Sequence, residues 1–139
     1  MMKIKLDEGA IFPQRAYSDD AGLDMFSRET KPILPGFGEV FDTGVHAEIP
    51  AGYFGKLESK SGLNINSDIV CCGGVIDHGY TGSIKVKLYN MGSTRYVVKK
   101  GQKLVQMILL PYLATELELV EELPETERGN NGFGSTGEF

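Results

Sequence analysis

The sequence predicts an all-β fold, either a barrel or a two-sheet sandwich. Three observations carry that expectation. Short segments alternate apolar and polar residues with a period of two, while helical periodicity is almost absent. Eighteen of the 139 residues are glycine, nearly twice the roughly 7% of an average protein, so tight turns are frequent. The alternating segments are also bounded by turn chemistry: KPILPGFG, IPAGYFG and KKGQ.

In chain order, residues 39–49 (EVFDTGVHAEI) read as one strand and residues 53–58 (YFGKLE) as the next. Residues 61–67 are the only candidate helix, opened by Ser61, whose hydroxyl suits an N-cap. Residues 82–90 (GSIKVKLYN) give the clearest strand. Ile84, Val86 and Leu88 share one face, and Ser83, Lys85, Lys87 and Tyr89 share the other. Residues 95–98 (RYVV) form a short strand. Residues 103–110 (KLVQMILL) are nearly continuous apolar, as in a strand covered on both faces, with Gln106 as the odd polar residue.

A chain of this length makes one domain. Its formal net charge of −5 argues against a partner that is polymeric nucleic acid, and its aromatics are not interleaved with a basic stripe. The charge is uneven. Residues 1–115 balance at +1 and residues 116–139 at −6, which divides the chain into a β body (1–115) and an acidic tether ending in a glycine-rich segment (116–139). Within the neutral body, Lys60, Lys99, Lys100 and Lys103 can receive a small polyanion.

The adjacent Cys71 and Cys72 point to opposite faces of an extended segment and are poorly placed to bridge each other, as expected of a reducing compartment. MMKIKLDEGA reaches an acidic residue without an apolar run, so no secretory leader is expected. The longest apolar stretch, LVQMILLPYLA, is too short and too interrupted to span a bilayer. A cytoplasmic protein without a membrane partner is the expectation. His46 and His78 have no second ligand at metal spacing and read as satisfied or exposed side chains.

Five polar or glycine-rich clusters interrupt the strand pattern. AGLD puts the Asp24 carboxylate directly after a small turn, and ESKSGL offers hydroxyls, a cation and backbone N–H groups at a helix start. GGVIDHGYTG holds Asp77 and Tyr80 three apart in a glycine-flanked hairpin. KKGQKLVQ is a basic turn entering a buried strand, and RGNNGFGSTGEF places an arginine and aromatics on a glycine string. Singly, each reads as an ordinary turn, cap or frayed end. In this order, AGLDM, SKSGL, GVIDHGYTGSI, KGQKLVQMIL and RGNNGFGSTG resemble the five motifs of the trimeric deoxyuridine triphosphate nucleotidohydrolase (dUTPase) family. The resemblance runs from about residue 10 to the C-terminus.

That resemblance implies a jelly-roll-like β-sandwich subunit, a homotrimer with shared active sites, and Mg²⁺-dependent hydrolysis of dUTP to dUMP and pyrophosphate. It implies that Asp77 orients and deprotonates the water attacking the α-phosphorus, and that the Tyr80 ring packs under the deoxyribose. Uracil would be read by backbone groups of the hairpin arm at residues 71–75, including Gly74 and Val75. Donor and acceptor there match uracil and oppose cytosine. Lys60, Ser61, Gly62 and Gln106 would meet phosphates, and Asp24 would meet Mg²⁺ through water. Arg128, Phe133, Gly134, Ser135 and Thr136 would form a flap over the bound nucleotide, Phe133 stacking on the base. Three positions depart from the family pattern: Lys60 where arginine is common, Gly79 where a second carboxylate is frequent, and Asn131 where glycine is usual. Two rivals share the fold: a dCTP deaminase, whose glutamate-centred pattern is missing, and a dUTP-binding regulator without turnover.

Overall fold

The computed structural model describes residues 1–138. Among them are eleven strands and one helix: β1 Lys3–Leu6, β2 Gly22–Phe26, β3 Lys31–Ile33, β4 Gly38–Asp42, β5 Val45–Glu48, β6 Tyr53–Ser59, α1 Ser61–Ser67, β7 Ile69–Cys71, β8 Val75–Ile76, β9 Lys85–Asn90, β10 Tyr96–Val98 and β11 Lys103–Pro111. The architecture is the expected jelly-roll-like β-sandwich. One sheet runs β2-β11-β6-β8 and another β4-β9-β7, with the pairs β1-β5 and β10-β3 beside them. All ladders are antiparallel.

One continuous core joins the two larger sheets. Met25, Leu57, Val105 and Met107 enter from the first, and Phe41, Ile69, Val86 and Leu88 from the second. Each is at most 1% exposed, so each contributes about 1.5–3 kcal/mol of apolar burial. The alternation read in residues 82–90 holds: Ile84, Val86 and Leu88 are buried while Lys85 and Lys87 face water. The strand itself begins only at Lys85. Ile84 leaves the β9 ladder, donating its N–H to the Val45 carbonyl at 2.9 Å and accepting from Thr43 N–H at 3.1 Å.

Residues 39–49 are two strands, not one. Gly44, at φ 68°, turns the chain between β4 and β5, a backbone conformation that L side chains avoid. The buried Thr43 hydroxyl donates to the Ile84 carbonyl at 2.7 Å and accepts from Val45 N–H at 3.2 Å, so the break leaves no orphaned polar group. Helix α1 covers the expected residues, but Ser61 does not cap it. Lys60 is the N-cap and makes no side-chain cap hydrogen bond, which leaves the Ser61 hydroxyl exposed on the first turn. Cys71 is buried, Cys72 is exposed, and both are free. No helix among the described residues is long and apolar enough to cross a membrane.

Candidate active site

The segment between β7 and β8 is not the hairpin its glycines suggest. β7 pairs with β9 and β8 pairs with β6, so residues 72–74 cross from one sheet to the other. Gly73 and Gly74 make that crossing at φ 90° and 142°. The Gly74 carbonyl accepts from Leu57 N–H at 3.0 Å, and a Cβ at Gly74 would sit 3.1 Å from the Leu57 side chain. Cys71 N–H donates to Ser59 Oγ at 2.8 Å, tying the start of the crossing to the end of β6. Val75 is exposed and Ile76 is buried beside Gly55.

Asp77 and Tyr80 occupy the turn after β8, closed by a 3.0 Å bond from Tyr80 N–H to the Asp77 carbonyl. Asp77 is exposed, and its carboxylate has no hydrogen-bond or ion-pair partner among the described residues. Asp77 joins Phe54, Val75 and Tyr112 in lining a recess of about 250 Å³, where the Phe54 and Tyr112 rings meet edge-on at 6.3 Å. Tyr80 is folded back over Gly82, where a Cβ would lie 2.6 Å from the phenol oxygen. Its hydroxyl donates to the Ser83 carbonyl at 2.8 Å. The ring is thus held in one pose with a face open to solvent.

Asp24 has the opposite surroundings. It lies mid-strand in β2 rather than after a turn, opposite Gln106 of β11, which is in turn opposite Glu58 of β6. It is 2% exposed. Lys60 Nζ donates to its Oδ1 at 2.6 Å. Lys103 Nζ stands 2.6 Å from Oδ2 as an ion pair outside good hydrogen-bond angles. Burial alone would raise the Asp24 pKa, but the two ammonium groups outweigh it and hold the carboxyl below its ordinary value. Lys103 was legible only as one of a basic cluster. The signal for its role is that a buried carboxylate requires cationic partners. Gln106 lies over Gly22 and donates from Nε2 to the Ser59 carbonyl at 3.1 Å. No group of three or more His, Cys, Asp or Glu side chains converges as a metal cage among the described residues.

The expected site residues therefore fall into three places. Ile76 is opposite Gly55 and runs on to Asp77, whereas Lys60, Ser61 and Gly62 follow the other end of β6. At ~3.3 Å per extended residue, the Asp77 turn and the Asp24–Lys60 cluster stand roughly 15–20 Å apart. The third place is the C-terminal segment. Among the described residues, no hydrogen bond or ion pair links residues 113–138 to the body. Its bonds are local turns: Arg128 Nε donates to the Asn131 carbonyl at 3.0 Å, and Gly134 accepts from Gly137 N–H at 3.0 Å. Phe133 is fully exposed at φ 51°, and Ser135 and Thr136 are also exposed.

A carboxylate–tyrosine turn beside an apolar recess, next to the start of β6, and a lysine and glycine cluster past its end suit a β-sandwich that handles a nucleoside polyphosphate. The chain belongs to the dUTPase family, whose model matches residues 8–137. A deoxyuridine 5'-triphosphate nucleotidohydrolase of Clostridium acetobutylicum is 40% identical over 135 residues, covering 96% of this chain and 93% of the relative. That of Clostridium tetani is 40% identical over 139 residues, covering 98% and 96%. Among solved structures, a mutant dUTPase of Staphylococcus bacteriophage 80alpha with dUpNHpp superimposes at TM-score 0.93, with 31% identity over 99% of this chain and 98% of that one. A mutant dUTPase of phage phi11 of S. aureus, described for the coordination of a structural Mg(II) ion, superimposes at 0.83, with 30% identity over 88% and 97%.

Proposed function

We propose that this chain hydrolyses dUTP to dUMP and pyrophosphate with Asp77 as general base. The observation that carries the assignment is the exposed, unpartnered Asp77 carboxylate, fixed in one short turn with the pinned Tyr80 ring. A carboxylate is a weak base, so the rate comes chiefly from holding water in line with the α-phosphorus and from stabilising phosphate charge. Tyr80 presents a flat surface to the deoxyribose, and a 2′-hydroxyl would collide with it. Backbone groups of residues 73–75 read the uracil edge, where cytosine would leave donors and acceptors mismatched.

The roughly 15–20 Å between the Asp77 turn and the Lys60 cluster is the argument for sites shared between chains of a homotrimer. In that arrangement Lys60, Ser61, Gly62 and Gln106 of one chain hold the phosphates of a nucleotide bound at the Asp77 turn of another. Residues 116–139 belong to the same domain as residues 1–115. The acidic stretch is the tether, and Arg128, Phe133, Gly134, Ser135 and Thr136 close over the nucleotide. The donor set suits a hydrated Mg²⁺ that arrives on the triphosphate, because magnesium keeps several waters and takes one or two carboxylates with substrate phosphates. Asp24 would hold it through water, and the ion would supply neutralisation of phosphate charge. Lys60 and Lys103 are partly exposed and can exchange the Asp24 carboxylate for phosphate oxygens. A cytoplasmic location fits two free cysteines.

The test is pyrophosphate release from dUTP, dTTP, dCTP and UTP with Mg²⁺. Hydrolysis of dUTP alone is expected. Comparable rates on dTTP or UTP would remove the recognition argument, and ammonia release from dCTP would make the chain a deaminase.

A further inference from the structure

We propose that His46 and His78, the chain's two histidines, form a reciprocal clamp that positions the turn carrying Asp77 and Tyr80. The proposal rests on the reading of that turn as the reacting end of the site. His46, on β5, points Nδ1 at the Thr81 carbonyl at 2.7 Å. His78, on the turn, points Nδ1 back at the Ile49 carbonyl just past β5. Residues 46 and 49 are three apart on one side, and residues 78 and 81 are three apart on the other. Among the described residues, these two are the only hydrogen bonds that tie residues 77–82 to any residue outside 77–83. The bonds inside the turn, from Tyr80 N–H to Asp77 and from the Tyr80 hydroxyl to Ser83, fix its shape. The flanks of the turn are anchored by the β8-β6 ladder on one side and by the Ser83 hydroxyl, which donates to Asp42, on the other. The histidines add a direct hold on the turn itself, one near each end.

The two arms differ in what they ask of the ring. The second ring nitrogen of His46 is 3.0 Å from Asp7 Oδ1. A carbonyl and an ionised carboxylate are both pure acceptors, so both bonds require N–H on both nitrogens, which only the imidazolium has. The Thr81 carbonyl first, then the Asp7 carboxylate, push the His46 pKa above its ordinary value, opposed by Lys5 directly across the β1-β5 ladder. Lys3, Lys5 and Glu48 line the same recess, with Lys3 and Glu48 paired to each other at 2.9 Å. Because the folded-state pKa is raised, both bonds are at full strength below about pH 6.5; as pH rises through the raised value the ring keeps one N–H for two acceptors, and the arm weakens. His78 makes a single bond to a carbonyl, which a neutral ring with its proton on Nδ1 satisfies.

A clamp with two arms on one short turn fails when either arm is cut. His46→Ala and His78→Ala are each expected to lower kcat on dUTP about 5- to 20-fold, with KM changed less than about threefold. The double variant is expected to fall no more than about twofold below the worse single. His46→Asn keeps an amide N–H where Nδ1 stood and cannot titrate. It is expected to recover kcat to within about threefold of wild type and to lose the decline in activity on the alkaline side. Independent, multiplicative losses would overturn the clamp, and so would an alkaline decline that persists in His46→Asn. The Cε1–H resonances of the two imidazoles, assigned with His78→Ala, give a second reading in ligand-free protein. His46 should titrate above its ordinary range and return toward it in Asp7→Asn; an ordinary titration in both proteins would refute the charged arm. A wild type that does not hydrolyse dUTP would remove the assigned reaction and the positioning role with it. The titration would still judge whether the clamp exists.

Discussion

Asp24 and Asp77 are the two carboxylates to which the motif pattern directs attention, and their settings are opposite. Asp24 is sealed mid-strand between two ammonium groups. Asp77 stands in water on a turn, held by backbone and histidine bonds and engaged by nothing at its own oxygens. Without ligand the first shares its charge with two lysines and must be released by them before it can serve a metal; the second keeps its charge free to act on something that arrives. The contrast separates a residue whose loss is felt first in stability from one whose loss is felt only in turnover.

The comparison is broken most easily at Asp77. Asp77→Asn is expected to lower kcat on dUTP about 10²- to 10⁴-fold, the range of a positioned general base. Its melting temperature should match wild type in calorimetry, because the side chain holds nothing in place. A large drop in melting temperature would make Asp77 structural. Next in size is the third region, which is tied to neither carboxylate. Truncation after Glu127 should leave the body's melting unchanged and reduce dUTP turnover at least about tenfold, as removal of a closing segment does. Full activity in the truncated protein would show that the tail closes over nothing.

The smallest effect, and the one on the other side of the comparison, is at Asp24. Asp24→Ala leaves two partly exposed lysines facing each other across a buried gap. Breaking a fully buried pair costs about 3–5 kcal/mol; partial exposure of both lysines reduces the expected loss to about 1–3 kcal/mol by denaturant melts. The pH dependence has a definite sign. A carboxyl held below its ordinary value contributes stability at pH above about 3.9 that disappears as pH falls through the folded-state value. Wild type should therefore lose stability in that acid window by an increment that Asp24→Ala lacks.

How far these settings were legible depends on how local the determining contacts are. The β9 face of Ile84, Val86 and Leu88 was plain because alternation is written in consecutive residues. β2 was hidden because all five of its residues are buried, which erases alternation, and because Ala21 and Gly22 suggest a turn just before Asp24. The strand break at Gly44 and the crossing at Gly73 and Gly74 were misread for one reason. A glycine announces a turn, but which strand the chain pairs with afterwards is decided by residues far along the sequence: Val45 pairs with Leu6, and Ile76 with Gly55. The motif residues themselves were all visible. What was not visible is that a single chain keeps the Asp77 turn beside the start of β6 and the Lys60 cluster past its end, nor that both histidines bond across to or from that turn.

If the proposed sharing of sites holds, that separation along β6 turns activity into a property of mass action. If each site needs the Asp77 turn of one chain and the Lys60 cluster of another, dilution disarms the protein without unfolding it. Total turnover would then fall with total concentration to a power above one, while the circular dichroism per chain of the sandwich stays constant. The rate law would count the chains in each site before any image of the assembly did.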